Sequence, residues 1–349
     1  MPGDSLVLLD KQSEVNTEPR ATHEGIEVIR AAVDITDRAG LEILFGQFDF
    51  TEIIHLAAIL STGGERDPLL AHRVNVEGSL HLLELARQQS SRRLVAGLSA
   101  LKFIFPSSIA VYGIPSLAEK DAALPISEHE FLNPITMYGI NKLYVEHLGR
   151  YFSAHFGELN RSLLSTTASA HAQSKSEGLL DVRCIRFPGL LSADTVPTGG
   201  TSDYGPQMLH AAAQSKRYSC FVRPSSVLPF MAMPDAVHCI LSLLSAPQHA
   251  LSRRVYNVAS FSISAQQILD RAVQAFGAAQ IDFIIEPTRQ RIVDSWPALL
   301  DDSAARSDWG WKPEYGLEET FSSYLIPAIR ARYERDTPQS CTTDSHACC

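Results

Sequence analysis

The sequence predicts an α/β protein: a doubly wound, mostly parallel sheet with a smaller C-terminal α/β part. Three observations carry that expectation. Short apolar runs at residues 5–9, 51–56, 102–105 and 181–187 read as buried strands and alternate with segments of helical length and period. Several runs end in small or polar residues, as strands do when their C-terminal ends open on a cleft. With 349 residues, 45% of them hydrophobic and 20% charged, the chain has ample material for a large core.

In chain order, residues 5–9 form a strand ending at Asp10, and the polar residues 11–25 read as a loop. Residues 27–34 form the next strand, closed by Asp34-Ile35-Thr36-Asp37, where Thr36 or Asp37 can cap a helix running through Phe45. The strand at 51–56 ends in His55-Leu56-Ala57-Ala58, followed by a loop at 61–64 and a helical pattern at 69–87. Residues 88–101 read as a surface insertion. The strand at 102–105 delivers Pro106-Ser107-Ser108, and after a long loop a helix begins near Tyr138 and runs to about Phe156. Residues 160–178, rich in Ser, Ala and Thr without apolar period, are expected to be a disordered insertion. The strand at 181–187 closes a first domain of residues 1–188, and residues 189–333 form most of the second. There helices are expected at 206–215, from Pro234, at 264–276, at 303–309 stopped by Gly310, and at 317–332, with strands at 219–222, 255–258 and 281–285. The polar residues 334–349 read as a disordered tail.

Composition excludes several classes of function. The net charge is -9 with no basic stripe, which argues against a nucleic-acid partner. No apolar run approaches the ~18 residues of a membrane span. The six cysteines form no CxxC pair and no metal-ligand spacing with histidine, so they read as reduced thiols, and no metal is expected. The terminal Cys348-Cys349 has the form of a prenylation signal but lacks a polybasic flank, so it reads as a chance dicysteine.

Tyr138-Gly139-Ile140-Asn141-Lys142 carries the chemistry. Four positions separate the tyrosine from the lysine, which on a helix places both on one face. A nearby ammonium favours the ionised phenol, making Tyr138 a candidate acid or base. Asp10, Ala57-Ala58, Ser107-Ser108 and Pro188 are all expected at the carboxyl ends of strands, so one cleft can collect them. A serine hydroxyl can hold a substrate oxygen while the tyrosine exchanges its proton. That division of labour suits hydride transfer at a carbinol carbon.

These residues resemble a known family. Asp34-Ile35-Thr36-Asp37, His55-Leu56-Ala57-Ala58, Asn75-Val76-Glu77-Gly78, the segment from Pro106 to Gly113, and the Tyr138 to Lys142 motif are similar to the extended short-chain dehydrogenase/reductases, with their Rossmann-like fold. Arg186-Phe187-Pro188-Gly189, Gly199-Gly200-Thr201-Ser202-Asp203-Tyr204, Tyr256-Asn257-Val258-Ala259 and Asp294-Ser295-Trp296-Pro297 narrow the resemblance to the short-chain type of L-threonine 3-dehydrogenases. The resemblance implies NAD as cofactor and L-threonine as small-molecule substrate. It makes Tyr138 the acid/base, Lys142 its electrostatic partner and ribose ligand, and Ser108 the group on the substrate hydroxyl. It places Asp10 on the adenosine ribose, Asp34 and Ile35 beside the adenine, Leu56, Ala57, Ala58 and Asn75 along the cofactor, and Phe187-Pro188 at the nicotinamide. Ser61, Ser107, Thr201 and Trp296 are its candidates for the substrate pocket. A homodimer is implied, paired through helices at 69–87 and 138–156, and a mitochondrial location if the source is eukaryotic, otherwise a cytoplasmic one.

One part of the family pattern is missing from the sequence. The resemblance calls for a strand and a GxxGxxG-type turn ahead of Asp10, whose backbone amides would approach a pyrophosphate. Gly63-Gly64 lacks the strand-turn-helix context to replace it. The expectation is therefore an incomplete or degenerate chain in which the strands flanking the gap expose their edges, with little or no dehydrogenase activity. Two other readings stay open: a nucleotide-sugar epimerase or dehydratase using Arg223, Arg253 and Arg254 on a diphosphate, and a catalytically inactive scaffold.

Overall fold

The structure is a computed structural model that describes residues 5–12, 20–123, 125–154, 180–197, 200–277 and 280–335. The strands are Ser5–Asp10 (β1), Arg20–His23 (β2), Ile26–Ala32 (β3), Glu52–Ile54 (β4), Lys102–Ser108 (β5), Asp181–Phe187 (β6), Gly189–Leu191 (β7), Tyr218–Cys220 (β8), Val227–Ala232 (β9), Val255–Asn257 (β10), Phe261–Ser264 (β11) and Ile281–Phe283 (β12). The chain divides into two compact units. The first holds residues 1–188, 237–259 and 294–312, and the second holds 189–236, 260–293 and 313–349. A first boundary falls after Pro188, and two later segments return to the first unit.

The first unit carries the chemistry-bearing residues. Its parallel sheet, in the order β10-β6-β5-β4, is covered by the helices Arg38–Gln47 (α1), Ser79–Val95 (α4) and Met137–Ala154 (α6). Leu41 and Phe45 of α1, Leu82 and Leu83 of α4, Phe103 and Phe105 of β5, and Val145 and Phe152 of α6 form one buried cluster. Asp37 caps α1 by accepting from Gly40 N at 3.1 Å. Between α1 and α4 lie Ser61–Arg66 (α2), Pro68–His72 (α3) and a wider, π-helical turn Arg73–Gly78, while Leu117–Ala122 (α5) precedes α6.

A second small sheet, β1-β3-β2, stands beside the first, with β1 parallel to β3 and β2 antiparallel. Leu9 of β1 and Ile53 of β4 both pack on the shared cluster, whereas Leu6, Leu8 and Ile54 are 49%, 43% and 39% exposed. Successive side chains of a strand point to opposite faces. One face of both strands is therefore covered and the other is open. Among the described residues β1 pairs only with β3 and β4 only with β5, so the parallel sheet comes in two pieces that end on these strands.

Three local readings are corrected. Residues 20–23, taken as loop, form the polar edge strand β2; exposed on its outer side, it has no apolar alternation to betray it. Residues 61–64 open α2 rather than a loop. Residues 88–95 are no surface insertion but the end of α4. Gln89 there accepts from Phe50 N at 3.1 Å and donates to Phe48 O at 2.7 Å, and Ser90 accepts from Leu101 N at 2.8 Å. Such polar residues look solvent-facing in sequence because their partners are backbone groups of distant loops. Residues 160–178 and the tail from 336 lie outside the described residues.

In the second unit β9 is flanked by antiparallel β11 and parallel β7, and β12 pairs in parallel with β8. Helices Tyr204–Ala213 and Ala265–Phe276 pack together, and the Tyr204 ring lies edge-on to Phe221 and Phe230 at 5.9 and 6.3 Å.

Candidate active site

Helix α6 is placed by its first turn. Thr136 caps it by accepting from Gly139 N at 3.1 Å, and Glu65, reaching from α2, accepts from Met137 N at 2.8 Å. Both satisfy amides that a helix start leaves without intrahelical partners. Gly139 allows the next step. A Cβ there would stand 2.0 Å from the carbonyl oxygen of Ala110, so only glycine lets α6 meet the turn Ile109–Val111 that follows β5.

That close approach joins Tyr138 to Ser108. Ser108 ends β5 and caps the following turn, its Oγ accepting from Ala110 N at 3.1 Å, and it stands near enough to Tyr138 to favour the ionised phenol. Burial pushes the Tyr138 phenol up to about 12, against a smaller lowering by Ser108. This reverses the direction expected from the YxxxK spacing. Lys142 Nζ lies 5.6 Å from the tyrosine ring centroid but donates to Pro106 O at 2.6 Å and sits 4.4 Å over the Phe105 ring. Burial holds the lysine down at about 8. Desolvation of both groups outweighs the attraction that the spacing suggested.

Ser107 turns away from its neighbour. Its buried hydroxyl donates to Glu146 Oε1 at 2.5 Å, on the face of β5 shared with Phe103 and Phe105. Asn75 is likewise inward: its side chain accepts from Ile59 N at 2.7 Å and donates to Ile59 O at 2.9 Å and Asn141 Oδ1 at 3.4 Å. It braces the segment after β4 in which Leu56 and Ala57 are exposed and Ala58 is half-buried. His55, at the start of that segment, is buried against Ser79 Oγ at 2.8 Å, and burial together with the charge of Lys142 drops it to about 3.

The remaining expected residues are distributed as follows. Asp10 is exposed at the end of β1 and accepts from Gln12 N at 2.8 Å. Asp34 accepts from Thr36 N and Oγ1, both at 2.8 Å, and these bonds lower its pKa. Ile35 is buried in the core cluster. Ser61 is buried at the start of α2, and Gly64 of that helix packs on the Tyr138 backbone. Phe187 and Pro188, also buried, end β6. Trp296 is 4% exposed with its indole N–H unpaired, on a segment tied to the first unit by Ile114 N donating to Ser295 O at 2.9 Å. Thr201 is buried in the second unit.

Of the arginines considered for a diphosphate, two are already committed. Arg253 pairs with Glu128 at 2.5 Å and Arg254 with Asp181 at 2.7 Å. Cys184, Cys220 and Cys239 are buried thiols outside any disulfide, and the other three cysteines lie outside the described residues. Among the described residues no cluster of His, Cys, Asp or Glu could hold a metal ion, and no helix is long and apolar enough to cross a membrane.

Residues that sequence reasoning missed are the ones holding the site together. Thr136 carried a helix-start signal; Glu65, Glu146 and Arg186 carried none, because their partners are distant in the chain.

Residues 2–259 match the model of the NAD dependent epimerase/dehydratase family. The chain is 32% identical to the mitochondrial L-threonine 3-dehydrogenase of Bos taurus over 292 residues, 84% of this chain and 68% of that one. A solved structure described as a monomeric L-threonine 3-dehydrogenase from a metagenome is 31% identical, with a TM-score of 0.73 over 93% of this chain and 90% of that one. The UDP-glucose 4-epimerase of Thermus thermophilus in complex with NAD, 19% identical, shares the fold at a TM-score of 0.69 over 93% and 90% of the two chains.

Proposed function

The chain belongs to the NAD-dependent epimerase/dehydratase family, and from that premise we propose that it oxidises the hydroxyl-bearing carbon of L-threonine, giving 2-amino-3-oxobutanoate with NAD as oxidant. The observation that carries this reading is the placing of Ser108 beside Tyr138, with buried Lys142 one turn along the helix and 5.6 Å from the tyrosine ring, in a chain similar to proteins named for that activity.

The residues fit NAD at both ends. The Asp10 carboxylate is exposed at a parallel-strand end and suits ribose hydroxyls rather than a 2′-phosphate. Lys142 spends one donor on Pro106 O and has others for the second ribose. Leu56, Ala57 and Ala58 would line the ground between, braced by Asn75 through Ile59, with Asp34 and Ile35 near the adenine and Phe187-Pro188 near the nicotinamide. The middle does not fit as well, because no glycine-rich strand-turn-helix adjoins β1 or β4 among the described residues. When bound, NAD supplies the hydride acceptor.

The chain's own residues handle the proton. Ser108 holds the substrate oxygen, Tyr138 as phenolate takes the hydroxyl proton, and Lys142, charged below about pH 8, stabilises that anion. With Tyr138 pushed up to about 12, oxidation gains as pH rises and the reverse reduction finds a ready acid. Ser61 and Trp296 remain substrate-contact candidates in the first unit and Thr201 one in the second, each taken by itself; Ser107, committed to Glu146, supports Ser108 instead of touching substrate.

Commitment of Arg253 and Arg254 to carboxylates disfavours the nucleotide-sugar alternative. The chain, assayed with NAD and either L-threonine or UDP-glucose, tests the choice. It is expected to form NADH with L-threonine and to leave UDP-glucose unchanged, whereas epimerisation of UDP-glucose without threonine turnover would replace this reading.

A second copy is the proposed partner, docking on the exposed apolar stripe of α6. Ile140, Tyr144 and Tyr151 are 48%, 50% and 41% exposed there, beside Leu80 of α4. If the source is eukaryotic the location proposed is mitochondrial, as the name of the bovine relative suggests.

A further inference from the structure

Beneath the proton-handling residues lies a buried pair that the proposed chemistry does not use. Tyr138, Lys142 and Glu146 recur at four-residue spacing along α6 and so share a face. Lys142 and Glu146 are thus natural ion-pair partners. Yet Lys142 donates to Pro106 O, while Glu146 is taken by Arg186 of β6. Both members are essentially excluded from solvent, at 2% and 1% side-chain exposure. Arg186 Nε donates to Glu146 Oε1 at 2.9 Å and its NH2 to Oε2 at 2.6 Å, a forked contact that fixes the carboxylate plane. Ser107 Oγ completes the carboxylate at 2.5 Å. The third guanidinium nitrogen donates to Tyr112 OH at 3.0 Å and Glu128 O at 2.8 Å, so the arginine is itself held from the far side.

We propose that Glu146 and Arg186 are positioning residues for the Ser108–Tyr138–Lys142 set: the pair clamps Ser107 to helix α6, and Arg186 keeps the Glu146 carboxylate off Lys142. Pro106 and Ser107 are successive residues of β5, one receiving Lys142 and the other held by Glu146, so the strand end and the helix are pinned at two adjacent points. Ser108, the next residue, then has one place to stand relative to Tyr138. Released from Arg186, Glu146 would draw the ammonium one turn away from the tyrosine.

Other titratable groups around Lys142 are silent near neutral pH. His55 is held neutral by burial and by Lys142 itself, and burial raises the Cys184 thiol above its usual range. An ionised Cys184 and then Glu146 would each favour the charged lysine, and with the thiol raised above its usual range Glu146 is the charge left to act on the ammonium.

The inference rests on the proposed roles of Tyr138, Lys142 and Ser108, and its test is read without NAD or substrate. The full chain, carrying lysine labelled at the ε-carbon, is titrated by NMR, and Lys142→Met identifies the signal. Glu146→Gln keeps an oxygen for Ser107 but removes the charge, so Lys142 should titrate lower by about half a unit or more. Arg186→Met frees the carboxylate to pair with the ammonium, so Lys142 should titrate higher by about a unit. General loosening of the site would raise it in both variants. An unchanged or raised titration in Glu146→Gln overturns the proposal; if Arg186→Met does not fold, the direction of the Glu146→Gln shift decides by itself. Failure here alongside Tyr138-dependent NADH formation by the chain would overturn the positioning pair alone, whereas opposite shifts without that NADH formation would overturn the catalytic reading instead.

Discussion

A Cβ on Gly139 would stand 2.0 Å from the carbonyl oxygen of Ala110. Helix α6 and the turn after Ser108 therefore meet backbone to backbone, and the closeness of Ser108 to Tyr138 depends on that approach. Gly139→Ala forces the two apart. It should destabilise the fold by about 1–3 kcal/mol in urea unfolding, the usual cost of overpacking, and shift the Tyr138 ring signals in NMR.

Lys142 shapes stability against pH. Its folded value, about 8, lies below the ordinary 10.5, so between those limits the unfolded chain binds a proton that the folded chain does not. Stability gained from this group therefore rises with pH across that window, and the cost of burying the charge is complete below it. Lys142→Met should remove that slope and relieve up to about 3 kcal/mol at neutral pH, less the lost bond to Pro106 O. Urea unfolding across the window measures it.

His55 acts in the same sense at acid pH. Held at about 3 against 6.5 in the unfolded chain, it costs the fold stability as pH falls through that range. In His55→Phe the acid limb of the stability profile should flatten, with the lost bond to Ser79 Oγ, which still donates to Asn75 O, costing about 1 kcal/mol at every pH.

Asn75 acts through Ile59, whose N–H and C=O it satisfies together. Asn75→Ala should cost about 1–3 kcal/mol, the penalty for unmet buried polar groups, and speed hydrogen exchange at Ile59 while leaving β5 and α6 protected.

How much of this was legible in the sequence depends on range. Tyr138, Lys142 and Ser108 were readable because helical spacing and a strand end are local patterns. The alternation of β5 also held a clue that went unused: Ser107 and Ser108 are neighbours on a strand and face opposite ways, so only one can serve the cleft. Glu65 capping α6, Glu146 gripping Arg186, and Asn75 bracketing Ile59 join residues far apart in the chain, and no local period announces them. The direction of the Tyr138 shift was misjudged because spacing reveals a neighbour's charge but not how deeply the pair is buried. Strand β2 and the short strands β7 and β11 escaped because polarity or brevity hid their alternation, and the six-residue β9 because it is apolar throughout, with no alternation to show.

The most direct measurement is threonine-dependent NADH formation by the chain, with and without Tyr138→Phe. The account predicts activity that rises with pH and falls by about 10²–10⁴-fold in the variant, the usual share of a general acid or base. Equal rates in the two proteins, or no NADH from threonine although calorimetry shows NAD bound, would contradict it.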